Sequence, residues 1–257
     1  MKKLLFLFCL LSYFSVFSQS HRHPEYENGE ATSKSNFHHR LMIGTLFPLR
    51  VYGGYEMQWK GLQLGFFIGT TPQKYQDIVF ELLRKTRPTY QRELTYLQSV
   101  AQSKMQYGGE LKLNIGKNFS IGSTAQVFNY SLIDTPKQIT EGLLPEEASN
   151  INASLQGSNE AKIAYETKKV EAFMNTIVAG PTLEKLFWLN TNETFFLRFK
   201  ATYWFLMNRQ NDLTSQDFTT LEQSAIDSFR PKFLSKIDNV SSQLQAPSFG
   251  VELGVAF

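Results

Sequence analysis

The chain has 257 residues with 26 Lys or Arg against 23 Asp or Glu, a formal net charge of +3. Two of the basic residues, Lys2 and Lys3, lie in an N-terminal leader, and removing them leaves 24 basic against 23 acidic residues, a net charge of +1. This balance excludes a strongly basic nucleic-acid-binding surface. The single cysteine, Cys9, is also in the leader, so no disulfide, thiolate metal site or cysteine nucleophile is expected after it.

Residues 1–19 are predicted to be a signal peptide. Lys2 and Lys3 precede an apolar run from Leu4 to Leu11, and small or polar residues follow it. The apolar run is too short to span a membrane as a helix. Residues 20–36 are polar, and we expect them to be a flexible periplasmic lead-in.

From residue 37 onwards, apolar and polar residues alternate in segments of about ten residues, the pattern of half-buried β-strands. An even number of such strands is required of single-chain bacterial barrels, although residues 38–59 as one long bent strand would make the count odd. The sixth strand is predicted to end near Gly180-Pro181, because proline fits a strand end better than a ladder interior. The eight predicted strands are residues 40–47, 50–59, 62–69, 104–115, 119–127, 170–178, 195–208 and 247–257.

The connections between these segments alternate in length. Short turns at 60–61, 116–118 and 189–193 separate long inserts at 72–103, 133–167 and 209–243. Short periplasmic turns and long outer loops are typical of outer-membrane barrels. We therefore predict that residues 37–257 form an all-β, eight-stranded antiparallel up-and-down transmembrane β-barrel with long, partly helical outer loops.

The polar face of the strands carries many charges. Alternation alone does not distinguish a barrel interior from the solvated face of a soluble sandwich, but an eight-stranded membrane barrel would enclose these charges in a lumen that side chains can fill. We predict a plugged lumen in which Glu252 lies between Arg198 or Lys200 on one side and Arg40 on the other. The predicted lumen charges are Arg40, Arg50, Glu56, Lys104, Glu110, Lys112, Glu171, Arg198, Lys200 and Glu252.

The final segment alternates to the last residue of the sequence. Its apolar residues are Phe249, Val251, Leu253, Val255 and Phe257. Gly250–Phe257 looks like the signal read by the barrel-insertion machinery, and the leader ending Phe17-Ser18-Gln19 looks like those of Bacteroidetes. The chain after the leader thus resembles the small OmpA-like outer-membrane β-barrel proteins of Bacteroidetes. The resemblance implies a barrel in the bacterial outer membrane, in contact with its lipid and with the insertion machinery, and it implies no activity.

The long inserts contain apolar residues at helical spacing, in 72–103 and again in 219–240. These stripes are expected either to pack together as a cap over the barrel mouth or to form a binding surface for the membrane surface or for an envelope or extracellular protein. A third alternative is an inverted topology, in which 72–103 and 209–243 lie in the periplasm. The predicted partner-binding residues are Ile78, Val79, Leu82, Leu83, Leu94 and Leu97.

Three functions fit this sequence. The first is a structural or interaction protein, and the second is a narrow channel or small-solute carrier. The third is a lipid-modifying barrel enzyme, which would need a histidine beside a serine or carboxylate, and only His38 and His39 lie near a strand. We predict no catalytic, cofactor-binding or metal site.

Overall fold

A computed structural model describes residues 37–116, 118–155, 157–215, 218–241 and 246–257. The predicted signal peptide and lead-in lie outside these residues, so they remain predictions.

The described residues form nine strands. They are β1 (Phe37–Phe47), β2 (Arg50–Trp59), β3 (Leu62–Thr70), β4 (Ala101–Ser103), β5 (Gln106–Asn114), β6 (Phe119–Asp134), β7 (Val170–Trp188), β8 (Phe195–Thr214) and β9 (Ala246–Ala256).

Eight of these strands close into an antiparallel barrel in which each strand pairs with its neighbours in sequence, and the β1–β9 and β6–β7 pairings complete the ring. The predicted eight-stranded up-and-down barrel is confirmed. The first hairpin is real, because β1 and β2 pair along ten residues, and the alternative of one bent strand is wrong. The ninth, short strand, β4, pairs with β6 beyond the end of β5.

The two ends of the barrel differ. Short connections β2–β3, β5–β6 and β7–β8 lie at one end, and the three long inserts lie at the other, which we call the mouth. The inserts contain α1 (Gln73–Thr86), a 3₁₀ turn (Pro88–Tyr90), α2 (Gln91–Val100), α3 (Pro136–Leu143), α4 (Pro145–Ser154), α5 (Asn159–Thr167) and α6 (Thr220–Ser241). Among the described residues, no helix has the length and apolar character needed to cross a membrane.

The apolar face of the strands points outward. Ile43 on β1 and Phe249 on β9 expose 69% and 65% of their surface, and similar side chains follow on the other strands. The charged residues of the same strands point inward. This is the reverse of a soluble barrel, whose apolar side chains fill the interior.

Three strands, β6 to β8, are 16 to 20 residues long, whereas the other barrel strands have 9 to 11. They extend past the mouth, so the predicted inserts at 133–167 and 209–243 begin too early: β6 continues to Asp134 and β8 to Thr214. The extensions are still strands because β7 pairs with both neighbours along this region.

The prediction that the sixth strand ends at Gly180-Pro181 is wrong, since β7 continues to Trp188. The pairing with β8 omits these two residues, so the missing N–H of Pro181 leaves no ladder hydrogen bond unmade there. A Cβ on Gly180 would lie 1.7 Å from the carbonyl oxygen of Tyr203, and glycine is therefore required by the close approach of β8.

The helices form a cap at the mouth with its own apolar core. They pack on one another and on the inner face of the strand extensions, through residues such as Leu132 on β6, Ala172 on β7 and Leu213 on β8. Amphipathic helices bury their apolar stripes in this way, and the strand extensions supply the surface that receives them.

Candidate functional site: the barrel lumen and the helical cap

Eight of the ten predicted lumen charges lie buried inside the barrel. None of them exposes more than 7% of its surface. They are Arg40, Arg50, Glu56, Glu110, Lys112, Arg198, Lys200 and Glu252.

Glu56 on β2 holds together three cations from three other strands. Its Oε1 accepts hydrogen bonds from Arg40 Nη1 at 2.7 Å and from Arg198 Nη2 at 2.8 Å. Its Oε2 accepts from Lys112 Nζ at 2.7 Å and from Arg198 Nη1 at 3.0 Å. A buried carboxylate is stable only when its lone pairs are satisfied in this manner.

Three further carboxylates complete the network. Lys200 Nζ lies 2.5 Å from Glu110 Oε1, 3.1 Å from Glu184 Oε1 and 2.8 Å from Glu252 Oε1. Lys112 Nζ bonds Glu110 and Glu184 at 3.0 and 2.8 Å. In this network each carboxylate contacts at least two cations, and each of Arg40, Lys112, Arg198 and Lys200 contacts at least one carboxylate.

The sequence prediction missed Glu184, because the strand was predicted to end four residues before it. The signal was present in the sequence. Thr182, Glu184 and Leu186 alternate with Leu183, Lys185 and Phe187 as in the other strands.

Two predicted lumen residues, Lys104 and Glu171, are not in the lumen. They lie outside at the mouth, 3.9 Å from each other, with side chains 47% and 24% exposed. Lys104 falls in the break between β4 and β5. Glu171 points outward because its neighbours Val170 and Ala172 point inward into the cap core, the opposite of the orientation that the sequence predicted.

The predicted partners of Glu252 are partly correct. It pairs with Arg198 at 3.0 Å and with Lys200 at 2.8 Å. The predicted pairing with Arg40 is wrong, because that guanidinium binds Glu56 directly across the β1–β2 ladder.

Apolar and aromatic side chains lie on both sides of the charged network. Towards the short turns, Met42, Leu186 and Phe196 pack together with Trp188 against them. Towards the mouth, a second cluster comprises Leu46, Tyr52, Phe67, Phe128, Val178 and Trp204. Side chains therefore line and block the described lumen from the short turns to the mouth, as expected for eight strands.

A hydrogen-bonded chain leads from the network to the mouth. Arg50 donates to the Gln126 side chain, whose Nε2 donates to Gln106 at 2.8 Å. Gln106 donates to the hydroxyl of Thr71, which donates to the Leu49 carbonyl oxygen at 2.7 Å. These polar residues connect Arg50 to Thr71, which lies two residues before α1 begins, and to the backbone of the β1–β2 turn.

The predicted insertion segment lies at the β1–β9 seam. Its five apolar side chains face outward and are 37–67% exposed. Phe257 exchanges backbone hydrogen bonds with His39 at 3.1 and 2.9 Å, and the His39 ring stacks on its side chain. The other contact of His39 is the Tyr55 hydroxyl at 2.6 Å. This arrangement fixes the chain end in the wall, and recognition by the insertion machinery stays a prediction.

The predicted partner-binding residues divide into two groups. Leu94 and Leu97 on α2 are buried in the cap core, and Leu83 packs against it, so these three are structural. Leu82 on α1 is 51% exposed, and Ile78 and Val79 beside it are partly exposed. Only these three remain available for a partner.

Ion pairs tie the cap helices together at their edges. The Glu222 carboxylate on α6 accepts hydrogen bonds from Lys168 Nζ at 2.8 Å and from the Thr219 N–H at 2.7 Å. The hydrogen bond from Lys168, and to a smaller extent that from the Thr219 N–H, lowers the pKa of Glu222 below its usual value.

A tyrosine hydrogen bond also joins the cap to the barrel wall. Tyr96 on α2 donates to Asp134 on β6 at 3.0 Å. Burial, together with the nearby Asp134 carboxylate, raises the pKa of Tyr96.

Within the described ranges, no group of three or more His, Cys, Asp or Glu side chains is arranged to hold a metal ion. No protein-family model matches the chain. No curated protein matches it either.

Among solved structures, the chain is similar to the N-terminal β-barrel domain of Pseudomonas aeruginosa OprF, at 8% identity and TM-score 0.34, covering 86% of this chain and 96% of that one. It is similar to Acinetobacter baumannii CarO2 at 9% identity and TM-score 0.36, covering 86% and 98%. It is similar to A. baumannii CarO at 9% identity and TM-score 0.33, covering 86% and 97%. Similarities this low carry no argument about this chain, whose fold rests on its own strand pairings.

Proposed function

We propose that this protein is a closed outer-membrane barrel whose role is structural: it anchors the helical cap at the bacterial surface, where the cap contacts a partner protein. The observation that carries the proposal is the filled lumen. Nine buried charged side chains occupy it, eight of them in mutual ion pairs, and apolar clusters seal both sides. A barrel filled in this way has no room for solute flow, and the organised feature at its mouth is the cap.

The outer wall supports a location in the membrane. Each barrel strand presents apolar side chains to the outside, and Phe195, Phe249 and Phe257 are all more than half exposed. In water such a surface would aggregate, whereas in a bilayer it is solvated by lipid. The predicted leader and the seam-closing Phe257 agree with export and insertion into the outer membrane.

Partner contact is assigned to the outer face of α1. Leu82, Ile78 and Val79 form an apolar stripe on a helix whose other residues are mostly polar. The other predicted residues, Leu83, Leu94 and Leu97, pack in or against the cap core and are not available to a partner. A partner would therefore contact the α1 stripe, either by receiving the helix in a groove or by packing a flat surface against it. The partner is an envelope or extracellular protein.

Planar-bilayer recording of the refolded full chain tests the closed barrel, with an open porin reconstituted in parallel as the positive control. We expect no discrete openings at either polarity. Regular single-channel current steps would contradict the closed barrel and would favour the alternative function, a narrow channel or small-solute carrier.

Crosslinking in outer membranes, followed by affinity capture, tests the partner. Leu82→Asp places a charge on the α1 stripe without entering the cap core, and Ile163→Asp on α5 is a matched control at a residue that is 61% exposed. We expect a specific crosslinked protein to be lost with Leu82→Asp and kept with Ile163→Asp. An unchanged set with both variants would contradict the assignment to α1.

A further inference from the structure

Arg50 is the exceptional charge of the lumen. It lies on β2 at the mouth side of the network and is fully buried. Its Nη1 donates to the amide oxygen of Gln126, whereas its Nε and Nη2 have no hydrogen-bond partner among the described residues.

The charges of the described lumen do not balance. Five cations face four carboxylates: Arg40, Arg50, Lys112, Arg198 and Lys200 against Glu56, Glu110, Glu184 and Glu252. Each carboxylate already contacts at least two of the other cations within 4.0 Å. Within the same described set, Arg50 has no carboxylate within that distance, so the excess positive charge is located at its guanidinium.

Aromatic rings cover the faces of this guanidinium. Its central carbon lies 3.5 Å from the ring centre of Phe67 and 4.5 Å from that of Tyr52. Cation–π contact is favourable but leaves the charge in place. It also leaves the edge of the guanidinium, which carries the unpaired Nε and Nη2, as the part that can donate hydrogen bonds to an anion.

A second unpartnered donor lies on β6, the strand that carries Gln126. The Thr124 hydroxyl, on β6 and 1% exposed, has no hydrogen-bond partner among the described residues. Thr124 is two residues from Gln126 on the inward face of the strand, and Gln126 is the residue that receives the Arg50 bond. Unsatisfied buried donors are rare in native proteins and mark places where a further partner binds.

We propose that the lumen holds one small monovalent inorganic anion, of the halide class, against the edge of Arg50. Removing an unpaired guanidinium from water is strongly unfavourable, and one negative charge would both neutralise it and bring the described lumen to zero. The proposal is restricted to a small anion because Tyr52, Phe67, Phe128 and Trp204 belong to the apolar cluster on the mouth side of Arg50. The anion is a structural ion that is enclosed as the barrel closes.

The direct test uses the heavy halide bromide. The full chain is refolded and crystallised in sodium bromide, and anomalous data are collected at the bromine absorption edge. We expect a peak within hydrogen-bonding distance of Arg50 Nε or Nη2. Absence of a peak there, with bromide peaks elsewhere, would overturn the proposal.

A second measurement tests the alternative in which an ionised Tyr52 supplies the negative charge. Tyrosinate absorbs near 295 nm, so we compare the absorbance of the wild type and of Tyr52→Phe at that wavelength and neutral pH. We expect the two values to be equal, and a higher value for the wild type would overturn the anion proposal.

Thermal unfolding adds a solution readout on the same protein. Ligand linkage predicts that the wild-type unfolding temperature rises with the logarithm of bromide concentration, relative to methanesulfonate at equal ionic strength. Arg50→Gln is expected to abolish this rise and the anomalous peak. Arg40→Gln, at a cation that already has a carboxylate, is expected to retain both. A wild-type response that is identical in the two salts would contradict the proposal even if Arg50→Gln does not fold.

Discussion

Replacing Glu56 with Gln tests how much the lumen network contributes to stability. The carboxylate accepts four hydrogen bonds, all between 2.7 and 3.0 Å, from Arg40, Lys112 and Arg198, and it is fully buried. The substitution keeps the size of the side chain and removes its charge, leaving three buried cations short of a counter-ion. Breaking a buried ion pair from one side costs about 3–5 kcal/mol, so we expect the free energy of unfolding to fall by about that amount.

The assay is urea unfolding of the refolded protein in a single detergent or lipid, followed by tryptophan fluorescence. With a denaturant slope of roughly 3 kcal/mol per molar urea, the predicted loss moves the midpoint down by about 1–1.7 M. Glu81→Gln is the matched control, because Glu81 makes an exposed pair with Lys85 on α1, and we expect its midpoint not to change measurably.

A double variant separates charge imbalance from packing. Glu56→Gln with Lys112→Met removes one charge of each sign, and we expect it to lose less stability than the two single variants together, by about 0.5–3 kcal/mol. If Glu56→Gln costs under about 1 kcal/mol, or if the two substitutions are additive, the lumen charges are hydrated and the filled-lumen description is refuted.

Three further predictions concern the wall and the cap. Gly180→Ala would place a methyl group 1.7 Å from the Tyr203 carbonyl oxygen. We expect this substitution to lower the free energy of unfolding of the barrel by about 1–3 kcal/mol in the same urea assay. The control is Gly61→Ala, which should be close to neutral because a Cβ there would have nothing within 4 Å. Leu94→Ala creates a cavity in the cap core and should reduce the stability of the cap by about 2–5 kcal/mol. The measurement is the rate of proteolysis of the cap, which should increase while the barrel stays intact. Leu82→Ala on the exposed stripe of α1 should leave that rate unchanged. Because the pKa of Glu222 is lowered in the folded cap, its contribution to stability is present above the usual value of 4.5 and is lost as the pH falls towards the folded-state pKa. Hydrogen-exchange protection of α6, expressed relative to the intrinsic exchange rate at each pH, should therefore decrease on acidification, and less so in Glu222→Gln. An equally steep loss of protection in Glu222→Gln would show that other groups control the acid response.

The barrel could be predicted because strands and tight turns are specified by residues that are close together in the sequence. Alternation with period two gives strand identity, and the positions of short turns give the pairing of neighbours, so residues such as Leu64 and Leu253 were assigned to the outer face from sequence alone. The same alternation identified eight lumen charges, since only the polar phase of a strand can hold them.

The errors arise where one strand serves two environments. The residues of β7 near Val170 point inward to the cap core, while Leu183 and Phe187 further along point outward, so no single apolar phase describes the strand. Alternation therefore predicts Glu171 in the lumen, although it lies on the outer face. It does not predict Glu184 in the lumen, because the strand is predicted to end at Gly180-Pro181. The close approach of Tyr203 to Gly180, which explains the glycine, depends on a neighbour 23 residues away and has no local signature.

The cap division also required tertiary information. Leu82 and Leu94 occur in similar amphipathic patterns, yet one is exposed and the other is in the core. Which helix covers which is decided by packing against the β6–β8 extensions, whose length the sequence prediction underestimated.

The orientation of the wall is the central claim, and quenching by brominated lipid tests it most directly. Trp204 on β8 is 3% exposed and points inward, while Phe199 on the same strand points outward. Two single-tryptophan proteins are compared in vesicles with brominated acyl chains: one keeps Trp204 with Trp59 and Trp188 changed to Phe, and the other adds Phe199→Trp with all three native tryptophans changed to Phe. We predict strong quenching at position 199 and little at 204. Quenching at 204 without quenching at 199, or a chain that stays monomeric in water without detergent or lipid, would contradict the account.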